Sequence, residues 1–248
     1  MVSLKMSPLP DRLSDGKDVG RAPVGADAGD DLERYLQALI AGDSATCAHL
    51  VDKALAADIP VPRIYEGLMK PALYRIGELW VRNQVSIACE HLATTITEGL
   101  LNRVYPNIVH ARHCGRKVVL ATVEDELHQV GLKMVADLFE MHGWDARLVR
   151  AGVSIDRLLE TIERERPDAV GLSLSVDFHV DGLERTLRCL RAAYPQLPIL
   201  IGGQGLAHGG HEGLDAYPGV TCIASLDDLS RLLRSGPPWT CRSVEQVP

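Results

Sequence analysis

The stretch "KVVLATVEDELHQVGLKMVADLFEMHGW", residues 117–144, changes period within a few residues. It opens on a β-branched apolar run, 117–123, with the length and composition of a buried strand. It closes on a helical pattern. Between the two stand Glu126, His128 and Gly131. A strand giving way to a helix, with polar side chains at the junction, is the unit from which parallel sheets are assembled.

The alternation continues downstream. "DARLVR" (145–150), "DAVGLSLS" (168–175), "PILIGG" (198–203) and "VTCIAS" (220–225) are further short strand candidates, separated by amphipathic helical stretches. The spacing predicts an α/β fold over 114–235, a five-stranded flavodoxin-like (Rossmann-like) parallel sheet with helices on both faces. Ligands of such sheets bind beyond the carboxyl ends of the strands, at the topological switch point. The loops after "LATV", "LSLS" and "LIGG" are therefore where chemistry is expected.

Upstream, residues 30–106 read as a four-helix bundle. One helix is "GDSATCAHLVDKALAADIP", with Asp43 or Ser44 as its cap and Pro60 as its stop. The next, "VPRIYEGLMKPALYRIGELW", spaces Ile64, Leu68, Ala72 and Ile76 by fours, with a kink expected at Pro71. A third, "SIACEHLATTITEGLLNRVYP", sets Leu92, Ile96, Leu100 and Val104 on one stripe. Residues 1–29 offer no apolar face to bury and read as a flexible tail, and 236–248 as a second tail.

The whole sequence has 248 residues, with 26 Lys and Arg against 33 Asp and Glu for a net charge of −7. No basic run forms a nucleic-acid footprint, so direct DNA binding is not expected. No apolar run is long enough to span a membrane and no secretory leader is evident. The six cysteines form no C-x-x-C pair and read as reduced thiols. A cytoplasmic protein is the expectation from these features.

His128 follows the first strand by about five residues, in the loop or the first turn of the next helix. Glu126 is placed to accept the imidazole's other N–H, the arrangement that fixes the tautomer of a metal-bound His. Gly131 lets the helix backbone approach a bulky group. Ser173 and Ser175 after the third strand, and Gly202, Gly203 and Gly205 after the fourth, describe a slot with little side-chain bulk.

"ELHQVG", "LSLS" and "LIGGQG" together resemble the cobalamin-binding domain signature, D/E-x-H-x-x-G, S-x-L, G-G. The resemblance implies that His128 is the lower axial ligand of cobalt in base-off, His-on cobalamin. The displaced dimethylbenzimidazole tail would enter the slot lined by Ser173, Ser175, Gly202 and Gly203. Glu126 stands where Asp is commoner, and Ser175 where the pattern has Leu.

In the helical half, "WVRNQVSIACEH" supplies Trp80, nine intervening residues, then Glu90 and His91. It resembles the W-x9-E-H motif of CarH-type photoreceptors, which hold adenosylcobalamin in the dark and respond when light breaks the cobalt–carbon bond. By that resemblance Trp80 walls the upper ligand, and Glu90 and His91 bond ribose hydroxyls. Each also has a plain reading, Trp80 as core and Glu90–His91 as solvated surface. Val81 stands where related sensors carry a His that becomes a second cobalt ligand after photolysis, so the likeness stops there.

CarH-type proteins carry an N-terminal DNA-binding domain, which residues 1–29 are not expected to form. The resemblance extends to stand-alone cobalamin-dependent antirepressors and to photocobilins, which hold a bilin such as biliverdin beside cobalamin. A non-enzymatic light sensor acting through a protein partner or as a homo-oligomer is the expectation. The alternative is a methyl-carrying corrinoid protein of a methyltransferase system, which shares the layout and the His signature.

Overall fold

The computed structural model describes residues 28–108, 111–175, 180–208, 214 and 217–235. The segments read as tails, 1–29 and 236–248, lie outside these except for Ala28 and Gly29, which begin the first helix. The helices of the first half are α1 (Ala28–Ala41), α2 (Ser44–Ala56), α3 (Val61–Ile64), α4 (Lys70–Val81) and α5 (Ile87–Val104). Asp43, not Ser44, caps α2: its carboxylate accepts from the Thr46 amide at 3.0 Å and from the Thr46 hydroxyl at 2.6 Å.

α3 and α4 form one run through a π-turn at Tyr65–Met69. Pro71 has no amide to offer the carbonyl four residues back. The backbone widens there, so that the Lys70 amide donates to the Tyr65 carbonyl five residues earlier. The irregularity expected at Pro71 is thus taken up in the turn before it.

The buried face of α5 consists of Ala93, Ile96, Thr97, Leu100, Leu101 and Val104. Leu92, expected on that stripe, is instead exposed. Its Cδ2 lies over the α1–α2 turn, 2.8 Å from where a Cβ on Gly42 would stand. A contact surface spaced by threes and fours can start at Ala93 as well as at Leu92, and here it starts at Ala93.

The second half alternates β1 (Lys117–Thr122), α6 (Val130–Met141), β2 (Asp145–Leu148), α7 (Ile155–Glu165), β3 (Ala169–Ser173), α8 (Val180–Ala193), β4 (Ile199–Gly202), β5 (Val220–Ile223) and α9 (Leu226–Ser235). The strands are all parallel, in the order β2-β1-β3-β4-β5. This is the expected doubly wound sheet, and its switch point lies between β1 and β3.

Alternation along β1 divides the core. Val118 and Leu120 face α6, α9 and the helical half, and share one continuous cluster with Tyr35, Leu39, Ile64, Met69 and Leu101. Val119 and Ala121 face the opposite way and pack with Leu158 of α7 and Leu183 and Leu187 of α8. The bundle is therefore a third layer on one face of the sheet.

Polar bonds fix that layer. The Tyr65 hydroxyl donates to Asp137 at 2.6 Å, Lys133 pairs with Glu98 at 2.7 Å, and the Tyr105 hydroxyl donates to Glu140 at 2.7 Å. Glu66 accepts from the Leu226 amide at the start of α9 at 2.7 Å. Together with the bond from Arg63 of α3 to Asp227 of α9 at 3.0 Å, these hold α3, the π-turn and the far part of α5 against α6 and α9. The α4–α5 turn with its flanking residues 80–91 takes part in none of them.

Register sets Thr122, Ser173, Gly202 and Ile223 in one row across the strand ends. Just beyond it the backbone of β3 bonds to that of β4 and the turn after it: the Leu174 amide donates to the Gly202 carbonyl, and the Gly205 amide to the Leu174 carbonyl. Gly203, at φ +117°, lies so close that a Cβ would stand 2.1 Å from the Leu174 carbonyl oxygen. The glycine is thus required by contact between two strand-end loops, whatever enters the slot. Gly203→Ala should lower the urea midpoint by an amount equivalent to roughly 2 kcal/mol or more, through strain and collision together. An unchanged midpoint would show that these loops part without cost.

Candidate functional site

The loop from β1 to α6 is built around a buried carboxylate. Glu126 is fully buried. Its Oε1 accepts from the backbone amide of His128 at 3.0 Å and is in very close contact with His128 Nδ1. Its Oε2 accepts from the Ser175 amide, beyond β3, at 3.1 Å. One side chain thus joins the two loops that flank the switch point.

The backbone of the same loop is also held. Thr122 Oγ1 donates to the Glu126 carbonyl at 2.8 Å and the Glu126 amide to the Val123 carbonyl at 3.1 Å. Gln129 Nε2 donates to the Val149 carbonyl at 3.3 Å. His128 stands two residues before α6, in the loop rather than in its first turn, and its ring is about half exposed. With Nδ1 held by the carboxylate, Nε2 is left as the outward nitrogen, without a partner among the described residues.

The hydrogen bond to Glu126 raises the pKa of His128 most strongly. Partial burial opposes the shift, and the charges of Glu126 and Glu90 add to it. Glu90 belongs to the bundle, so the first turn of α5 stands near enough to the imidazole for its charge to act there.

Gly131 is the second residue of α6, and a Cβ on it would meet nothing within 4 Å. The space over this helix start is open to a bulky group. Ser173 is buried within β3 and its carbonyl accepts from the Val123 amide at 3.1 Å. Ser175 acts on Glu126 through its amide, so the substitution of Leu by Ser at that position leaves the contact in place.

On the bundle, Trp80 is the penultimate residue of α4 and is 42% exposed, so it is not the core residue that the plain reading made it. Glu90 lies in the first turn of α5, which Ser86 caps through the Cys89 amide at 3.2 Å. His91 Nδ1 bonds the Glu90 carboxylate at 2.6 Å, and the Thr94 hydroxyl donates to the other oxygen at 3.1 Å. Leu127, between Glu126 and His128, is 71% exposed. The sequence reading passed over Leu127 and Thr122. Their signals were an apolar side chain inside a polar loop and a hydroxyl at the end of an apolar strand.

Fold and site define a B12-binding protein. Residues 116–225 match the B12 binding domain family and residues 31–105 match a second family of B12 binding domains. The chain thus belongs to the cobalamin-binding proteins and carries a helical B12-binding domain followed by a Rossmann-like one. It is 30% identical over 203 residues to the HTH-type transcriptional repressor CarH of Myxococcus xanthus, a match covering 81% of this chain and 66% of that one. It is 22% identical over 179 residues to the methionine synthase of Mycobacterium tuberculosis, covering 71% of this chain and 15% of the other. The chain therefore spans less than two thirds of either relative. The monomethylamine corrinoid protein of Methanosarcina barkeri superimposes with a TM-score of 0.71 at 14% identity, over 85% of this chain and 100% of that one, and shares the fold.

In the chain without cofactor, His128 is expected to titrate above an ordinary imidazole. Because its folded pKa lies above the unfolded one, its bond to Glu126 stabilises the protein below the unfolded value and loses that effect as pH rises through the folded value. Glu126→Gln should bring the His128 titration down, followed by NMR of the ring protons. An unchanged titration would remove the carboxylate as the cause.

Proposed function

We propose that the protein is a light sensor holding adenosylcobalamin base-off, with His128 as the lower ligand of cobalt and with output through self-association or a protein partner. The observation that carries this reading is His128 itself, its Nδ1 held by the buried Glu126 carboxylate and its Nε2 directed outward, in a chain that also exposes Trp80 at the end of α4.

His128 fits the role of an axial ligand because its Nδ1 is engaged by a buried carboxylate. That contact raises the basicity of Nε2 and fixes the ring's direction. Gly131 leaves the adjoining space open. The slot for the nucleotide tail would lie among Ser173, Ser175, Gly202, Gly203 and Gly205 at the ends of β3 and β4. On the bundle side the Trp80 indole offers a flat apolar wall, and Glu90 and His91 offer acceptors and a donor for ribose hydroxyls.

Adenosylcobalamin supplies a photolabile cobalt–carbon bond. The protein's part is to bind the cofactor between the two surfaces and to let residues 80–91, which lie outside the bonds docking the bundle, respond to the loss of the upper group. A changed bundle face alters what the protein binds. The second chromophore suggested by the likeness to photocobilins has no support in the comparisons, and the proposal is made for cobalamin alone.

The second reading is a methyl-carrying corrinoid protein, favoured by the likeness in fold to the monomethylamine corrinoid protein. Trp80, Glu90 and His91 separate the two readings, since a methyl group has no ribose to hydrogen-bond. Trp80→Ala should weaken adenosylcobalamin binding by about tenfold and leave hydroxocobalamin within about twofold. Equal losses for both forms, or turnover with a methyltransferase, would favour the carrier.

Scattering-coupled size exclusion of the adenosyl form in darkness and after green light tests the output. The expected result is a change in mass, or in affinity for a protein partner, together with a change in visible absorbance. An adenosyl form whose spectrum, mass and partner binding are all indifferent to light would overturn the sensor reading. His128→Ala should lose the spectrum of the His-ligated cofactor.

A further inference from the structure

The geometry points to Thr122 as a positioning residue that sets where Glu126, and through it His128, can stand; this rests on the reading of His128 as the cobalt ligand. Thr122 is the last residue of β1 and is buried, in a strand whose other buried positions, Val118, Val119, Leu120 and Ala121, are apolar. A hydroxyl in that place needs a hydrogen-bond partner. It finds one in the Glu126 carbonyl at 2.8 Å.

The consequence follows from the shape of the loop. Between Thr122 and Glu126 the chain turns back on itself through Asp125 at φ +66°, a left-handed conformation that a residue other than glycine seldom adopts. Such a conformation persists where neighbouring bonds over-determine it. The hydroxyl supplies one such bond. The Gly152 amide reaches the same carbonyl at 3.4 Å, a longer contact.

Once the Glu126 carbonyl is fixed, its carboxylate reaches the His128 amide, the His128 ring and the Ser175 amide together. Thr122 is itself anchored, since it is in register with Ser173, two residues before Ser175. The hydroxyl therefore refers the imidazole to the sheet and acts on it only through Glu126.

Three substitutions in the full chain separate this role from packing. Thr122→Ser keeps the hydroxyl and loses the methyl group. Thr122→Val keeps the volume and loses the hydroxyl, and Thr122→Ala loses both. Two readouts are used: isotope-edited NMR of the His128 Nδ1–H in the cofactor-free chain, and the affinity and visible spectrum with hydroxocobalamin.

Positioning by the hydroxyl predicts that Ser behaves like the wild type. Val and Ala should lose the ordered Nδ1–H and bind cobalamin about tenfold or more weakly, as removal of an outer partner of a metal ligand does. A packing role predicts instead that Val is normal while Ser and Ala are impaired, and that pattern overturns the inference. So would wild-type behaviour of all three, or failure of all three to fold. If the wild type binds cobalamin without a His-ligated spectrum, the lower-ligand reading fails, and the NMR of the cofactor-free chain still decides whether Thr122 orients His128.

Discussion

The buried carboxylate of Glu126 accepts from the amide and ring of His128 on its own loop and from the amide of Ser175 on another. An ionised carboxylate removed from water without such donors would cost several kcal/mol. The two loops beyond β1 and β3 must therefore stay where their donors meet it. This constraint ties the switch point of the sheet together and gives His128 a fixed aspect, and the remainder of the site is arranged around it.

The scaffold supplies that constraint by ordinary means. Parallel pairing sets Thr122, Ser173 and Gly202 in one row. The β3 and β4 loops then approach so closely at Leu174 and Gly203 that no side chain fits. One face of the sheet is covered by α7 and α8 and the other by α6, α9 and the bundle. Because the bundle shares a core with β1 and α6, its position relative to His128 is set by apolar packing and by bonds such as those of Tyr65 to Asp137 and Lys133 to Glu98.

Those bonds are unevenly placed. They engage α3, the π-turn and the far part of α5, while Trp80, Glu90 and His91 lie at the α4–α5 turn. The two ends of the bundle are thus held to the Rossmann-like half to different extents. The same two-domain architecture occurs in the monomethylamine corrinoid protein, and fold alone does not assign function.

Much of this was legible in the sequence because it rests on local periodicity. The five strands announced themselves as short β-branched runs, and Glu126, His128 and Gly131 fell at a strand-to-helix junction whose spacing resembles a known signature. The exposure of Trp80 was not legible, because a tryptophan closing an apolar helix reads equally well as core. Leu92 shows the same limit: helical spacing allows it on the buried stripe, and only the packing of α5 decides against it. Ser175 looked like a hydroxyl and acts on Glu126 through its amide, while Thr122 looked like a strand residue and bonds the loop. Sequence by itself determined which elements form and where polar groups interrupt them, since both depend on neighbours along the chain. Tertiary structure alone decided which donors reach the buried carboxylate and which side chains of the bundle stay exposed, since both depend on residues that packing, not sequence, brings together.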